Sequence, residues 1–129
     1  MRCTEAAVAL LLAVAASAAS ADAWDDYTRR AAERLVAAQP AAATYDGPVP
    51  SVLLAIPVLE IELNADGSVR NIRVLRRPTQ AQDTVQLAIE AVKRAQPFGD
   101  VSALPRPWKY IEFFLFDDQR RFKPRTLDD

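Results

Sequence analysis

The sequence predicts a small α+β domain: a three-stranded antiparallel sheet built as hairpin, helix and strand, with an additional N-terminal helix packed on it. Three observations predict this. Residues 58–64 alternate, with Leu59, Ile61 and Leu63 on one side and Val58, Glu60 and Glu62 on the other, the two-residue period of a half-buried strand. Asn64-Ala65-Asp66-Gly67 follows at once, a type I turn with glycine at its left-handed position. Residues 84–95 then carry Val85, Ala88, Ile89, Val92 and Ala95 at three- and four-residue steps, one apolar stripe of a helix.

Taken from its start, the chain opens with Arg2 and an apolar run over residues 6–16, followed by Ala21-Asp22-Ala23. That order of a basic start, an apolar stretch and a small-x-small site predicts a cleavable secretory signal over residues 1–23. Ala19-Ser20-Ala21 is a competing cleavage site, and an uncleaved anchor is the alternative reading. The expected location is the periplasm. Cys3 lies inside this segment, so the mature chain has no thiol and must be held by its apolar core without disulfides. The full chain has 16 basic and 17 acidic residues, and removing residues 1–23 leaves 15 of each. A balanced charge excludes a general nucleic-acid binder, whose affinity rests on neutralising phosphates.

Residues 24–38 predict a helix, with Trp24, Tyr27, Ala31, Leu35 and Ala38 on one stripe and Asp25 and Asp26 near its positive end. Residues 39–51 read as a proline- and alanine-rich connector, completing an N-terminal region of residues 24–56. The core is expected over residues 57–118. Its second strand, residues 68–76, contains a conflict. Setting Val69 opposite Leu63 would put Asn71 and Arg73 on the core side, whereas one extra residue near Arg70 or Asn71 returns Ile72 to Ile61 and Val74 to Leu59. A β-bulge is therefore expected there. Asp83-Thr84-Val85-Gln86 has the pattern of a capping box at a helix start, and Pro97 ends that helix. Residues 97–107 form a second connector. The third strand, residues 108–116, is apolar on both sides, with Ile111, Phe113 and Leu115 against Tyr110, Phe114 and Phe116. Residues 119–129 read as a polar tail in which Phe122 and Leu127 can pack.

Residues 24–129 hold no histidine and no cysteine, which removes the commonest nucleophile, general base and zinc ligands together. No catalytic residue, metal site or cofactor is expected. Ser51, Ser68 and Ser102 read as loop serines, and a serine–lysine pair through Lys93, Lys109 or Lys123 has no supporting pattern. Glu60 and Glu62 lie about 7 Å apart on one strand face, inside the spacing of paired-carboxylate hydrolases, but every such strand pair does so. Asp117/Asp118 and the terminal Asp128/Asp129 lack the spaced ligands of a calcium loop. The glycines Gly47, Gly67 and Gly99 stand singly and form no phosphate loop. Arg70, Arg73, Arg76 and Arg77 gather positive charge on and after the second strand, a patch suited to an acidic partner. A second group, Arg120, Arg121, Lys123 and Arg125, lies in the tail.

Residues 58–75 (VLEIELNADGSVRNIRVL), the helix at 84–95, Gln96-Pro97-Phe98 after it and the aromatic strand at 108–116 together resemble the C-terminal domain of the TonB and TolA proteins. Tyr45 is followed by Asp46 where that family often has Tyr-Pro, and Ile56-Pro57 stands where it usually has glycine. The resemblance implies a protein-binding module and no enzyme. It further implies that the third strand is an edge to which an extended segment of an outer-membrane or periplasmic envelope protein adds as a further strand. Trp108, Tyr110, Glu112, Phe114 and Phe116 would then form the partner-binding edge. The family's inner-membrane helix and proline-rich spacer have no counterpart in the sequence, so force transmission is not expected to carry over. The alternatives are a homodimer through the same edge, serving envelope assembly, and a carboxylate-based cell-wall hydrolase using Glu60 and Glu62.

Overall fold

The computed structural model describes residues 2–128, with side chains described from residue 20 onward. Cys3 and most of the expected signal segment of residues 1–23 therefore lie outside the described side chains. The elements are helix α1 (Arg2–Ala37), strands β1 (Val58–Leu63) and β2 (Val69–Arg76), helix α2 (Asp83–Ala95), and strands β3 (Lys109–Phe116) and β4 (Phe122–Pro124). The class is α+β, as expected. Helix α1 does not begin at Trp24 but runs through it without a break. Among the described residues no helix is long and apolar enough to cross a membrane.

The sheet has four antiparallel strands in the order β2-β1-β3-β4, which corrects the expected three. The addition is β4, where Pro124, Lys123 and Phe122 pair with Phe114, Leu115 and Phe116. It falls within the stretch expected to be tail, and Phe122 is packed there at 3% exposure.

The β1–β2 register follows the hydrophobic pattern. Leu63 faces Val69, Ile61 faces Ile72 and Leu59 faces Val74, with Arg70 as the extra residue between Glu62/Asn71 and Leu63/Val69. The bulge thus keeps Ile72 and Val74 toward the core and turns Asn71 and Arg73 outward. A second, unexpected irregularity follows, because Val58 faces Arg76 and leaves Leu75 unpaired and 44% exposed.

Both helices contribute to one core against the sheet. Tyr27, Ala31 and Leu35 of α1 and Ala88, Ala91, Val92 and Ala95 of α2 meet Leu59, Ile61, Leu63, Tyr110, Phe114 and Phe116. Edge-on ring contacts link Trp24 to Tyr27 (5.5 Å), Tyr27 to Tyr110 (6.3 Å) and Phe98 to Tyr110 (5.9 Å), a geometry that sets a positive ring edge against a negative face. Just past α1, the Gln39 amide donates to the Leu35 carbonyl (3.0 Å) and to the Ala91 carbonyl of α2 (2.9 Å), while its oxygen accepts from Arg94 (2.6 Å).

The expected capping box does not form. The Thr84 hydroxyl donates to the Ala81 carbonyl (2.8 Å), no side chain caps the helix, and Asp83 is drawn outward by Arg120 at 2.7 Å.

The hairpin turn is docked as well as tight. The Gly67 N–H donates to the Asn64 carbonyl (2.9 Å), and the Phe98 N–H donates to the Gly67 carbonyl (2.9 Å). Gly67 has φ +84°, and a Cβ on it would lie 2.0 Å from the Gly99 carbonyl oxygen. That same oxygen accepts the Tyr27 hydroxyl at 3.0 Å.

Candidate functional site

Strand order decides which backbone groups are free to bind. β3 lies between β1 and β4, but β4 reaches only Phe114–Phe116, so the expected third-strand edge is covered there, while no strand or bridge pairs with its outer side over Lys109–Phe113 among the described residues. The Phe114 N–H donates to the Pro57 carbonyl and the Leu63 N–H to the Trp108 carbonyl, so even-numbered residues of β3 turn their main chain toward β1. Odd-numbered residues turn theirs the other way, where β4 fills the side at Leu115. The connector then covers β4: Thr44 bridges Phe122, and the Tyr45 N–H donates to the Phe122 carbonyl (3.2 Å). The Tyr45 hydroxyl reaches the Leu115 carbonyl at 2.8 Å.

The residues expected to receive a partner point mostly into the core. Tyr110, Glu112, Phe114 and Phe116 are 6%, 1%, 0% and 1% exposed. Trp108 alone is partly accessible. Its indole N–H donates to the Leu104 carbonyl (3.0 Å), and the Arg106 guanidinium lies 4.2 Å from its ring centre. These two residues, with Leu63, Asn64, Ala65, Arg70 and Pro107, line an open groove of about 510 Å³ at one end of the sheet.

Glu112 is the residue whose role the sequence did not reveal. One carboxylate oxygen accepts from the Phe113 N–H (3.1 Å), the Thr126 hydroxyl (3.0 Å) and the Thr126 N–H (3.4 Å). The other oxygen, and the Tyr110 hydroxyl two residues away, are buried without a hydrogen-bond partner among the described residues. Burial raises the Glu112 carboxyl to about 7, against the lowering effect of its bonds from Thr126 and Phe113. Its membership of the core-facing set Tyr110, Glu112, Phe114 and Phe116 was the available signal.

The longer open edge is β2, the outer strand on the other side. Since odd residues of β1 bond β3, its even residues bond β2. Glu60/Arg73 and Glu62/Asn71 are therefore the hydrogen-bonded pairs, and the N–H and C=O of Ile72 and Val74 face away from the sheet. Among the described residues no strand or bridge pairs with that side. The expected arginine patch splits here. Arg70 pairs with Glu62 (3.2 Å) and Arg73 with Glu60 (3.3 Å). Arg76 and Arg77 are exposed and make no ion pair among the described residues.

The carboxylates considered for hydrolysis are held in this ladder, Glu60 also lying 3.6 Å from Lys109. Ser68 and Ser102 bond Asp66 and Asp100 within their own turns, while Lys123 bonds the Gly47 carbonyl and Asp128. Asp117 fastens the β3–β4 turn: it accepts from the Gln119 and Arg121 N–H groups at 3.0 and 2.8 Å and pairs with the Arg121 guanidinium at 2.7 Å. No group of three metal-ligating side chains occurs among the described residues. Compared with known protein families, with curated proteins and with solved structures, the chain matches none of them.

Proposed function

We propose that this chain is a non-enzymatic protein-binding module that takes up an acidic, extended segment of an envelope protein by strand addition at the outer edge of β2. The open edge carries the reading: the outward backbone groups of Ile72 and Val74 offer main-chain bonds, and Arg76 and Arg77 stand exposed beside them. Main-chain bonds would supply affinity and the arginines sign selectivity. Charge disfavours the homodimer alternative at this edge through Arg76 and Arg77 of each copy, Arg70 and Arg73 being already paired with Glu62 and Glu60. The resemblance to the TonB and TolA C-terminal domain supports a strand-adding module, with the binding edge placed on β2 because β4 and the core take up much of β3. The apolar start of the chain supports the periplasm as its location.

An alternating Glu/Val peptide is expected to bind the purified protein in a salt-sensitive manner, with its Lys/Val counterpart at least tenfold weaker. Fluorescence anisotropy at two salt concentrations measures both. The double substitution Arg76→Glu/Arg77→Glu should reverse the preference. Val74→Pro, which removes an outward N–H and leaves the β1 bonds of Arg73 in place, should weaken binding with the fold retained by circular dichroism. Equal affinity for both peptides, or full affinity in folded Val74→Pro, rules the reading out.

A further inference from the structure

The β1–β2 ladder ends where Val58 faces Arg76. Continuing that antiparallel register would set Ile56 against Pro78, which has no N–H to give. The Ala55 and Pro57 carbonyls accept from the Phe116 and Phe114 N–H groups of β3, so the main chain of Ile56, between them, turns to the opposite side. Its N–H and C=O bond nothing among the described residues. On that side lies a cleft of about 250 Å³ between residues 53–56 and 76–80, whose two walls are tied by the Gln80 amide donating to the Leu54 carbonyl (2.7 Å). We propose that this cleft captures the free C-terminus of a partner chain whose last side chain is apolar.

Charge, size and hydrogen bonding each point to that occupant. Arg76 and Arg77 are the ionisable side chains on the lining, and both are exposed without an ion pair among the described residues. The Thr79 hydroxyl beside them also has no partner there, so the polar part of the cleft offers donors to an anion. Leu53, Leu54, Ile56 and Pro78 supply the apolar part. The volume is below the roughly 300–1,000 Å³ of small-molecule sites and suits one residue. A terminal residue can exchange both bonds with Ile56, as two residues do in a hydrogen-bonded antiparallel pair: its N–H donates to the Ile56 carbonyl, and its carboxylate accepts from the Ile56 N–H. An acidic side chain brings a carboxylate with no N–H beside it and leaves that carbonyl unpaired. Asp118 lines the adjoining cleft with Leu53, Leu54 and Gln80, which confines an anion to the arginine side. The capture goes beyond strand addition at β2, sharing Arg76 and Arg77 with it but using no outward group of Ile72 or Val74.

The probe is acetyl-alanyl-leucine, titrated into the full chain while its amide NMR signals are followed. Saturable shifts are expected at the Ile56 and Thr79 amides, with the C-terminal amide of the same dipeptide binding about tenfold more weakly. Acetyl-alanyl-glutamate α-amide, which carries its carboxylate only on a side chain, should bind as weakly. Arg76→Gln/Arg77→Gln, a change confined to exposed side chains, should weaken the free-acid probe about tenfold with the fold retained by circular dichroism. No saturable shift at millimolar probe, equal binding of acid and amide, equal binding of the glutamate peptide, or full affinity in the folded double variant overturns the site. Shifts at Ile72 and Val74 in place of Ile56 and Thr79 assign the probe to the β2 edge and overturn it too. Strand addition is judged separately, on an amidated Glu/Val peptide at Ile72 and Val74, so either reading can fail without the other.

Discussion

Gly67→Ala is expected to destabilise the fold by about 2–5 kcal/mol, the sum of a left-handed backbone and overpacking in a closed contact. The new Cβ would lie 2.0 Å from the Gly99 carbonyl oxygen and 2.6 Å from its carbonyl carbon and nitrogen. Backbone would have to move, and the backbone concerned also receives Tyr27 from α1. Gly47→Ala is the matched control: Gly47 has φ +83°, and a Cβ added there would meet nothing within 4 Å, so only the conformational cost of about 1–2 kcal/mol remains. Chemical denaturation of the two variants separates the terms. Equal losses would show that the contact between turn and connector contributes nothing.

Glu112→Gln is expected to flatten the fall of stability above pH 5, with a net gain at high pH smaller than the about 3 kcal/mol of the buried charge, because the amide NH2 takes the place of an oxygen that has no partner among the described residues. Burial lifts the carboxyl from 4.5 to about 7, so the wild type loses about that much between those two values as the group is forced to ionise inside the fold. Glutamine keeps an oxygen for the Phe113 and Thr126 donors and has no charge to bury. Asp66 and Asp83 act with the opposite sign. Hydrogen bonds from Ser68 and from Arg120 hold them below their ordinary 3.8, giving stability that is present above that value and lost as pH falls through the folded value. The same holds for Asp117, where burial acts upward and bonds from Arg121 outweigh it. These groups together place the stability maximum of the wild type at about pH 4 to 5. Denaturation midpoints from pH 3 to pH 8 test it, and a wild-type curve as flat as that of Glu112→Gln above pH 5 refutes it.

How legible the fold was depended on the range of the interaction. The hairpin register, its turn and the bulge at Arg70 are local: side chains alternate every two residues, so the misplacement of Asn71 and Arg73 signals an inserted residue directly. Helix α2 was legible for the same reason at a longer period. β4 was not, because a three-residue strand ending in proline carries no periodicity, and its pairing with Phe114–Phe116 is sensed only through Phe122. Strand order is a long-range property that neither β2 nor β3 announces in its own residues. The candidate edge therefore lies at Ile72 and Val74, away from Trp108, Tyr110, Glu112, Phe114 and Phe116. The apolar richness of β3, which suggests a surface awaiting a partner, serves mostly to pack Tyr110, Phe114, Leu115 and Phe116, while Ile111 stays exposed.

Gln39 joins two elements that share no main-chain bonds among the described residues. By donating to the Leu35 carbonyl of α1 and the Ala91 carbonyl of α2 while accepting from Arg94, one amide rivets the C-terminal end of the long helix to the short one. Losing that amide would remove the side-chain bridge between the two helices while leaving the strand ladders untouched.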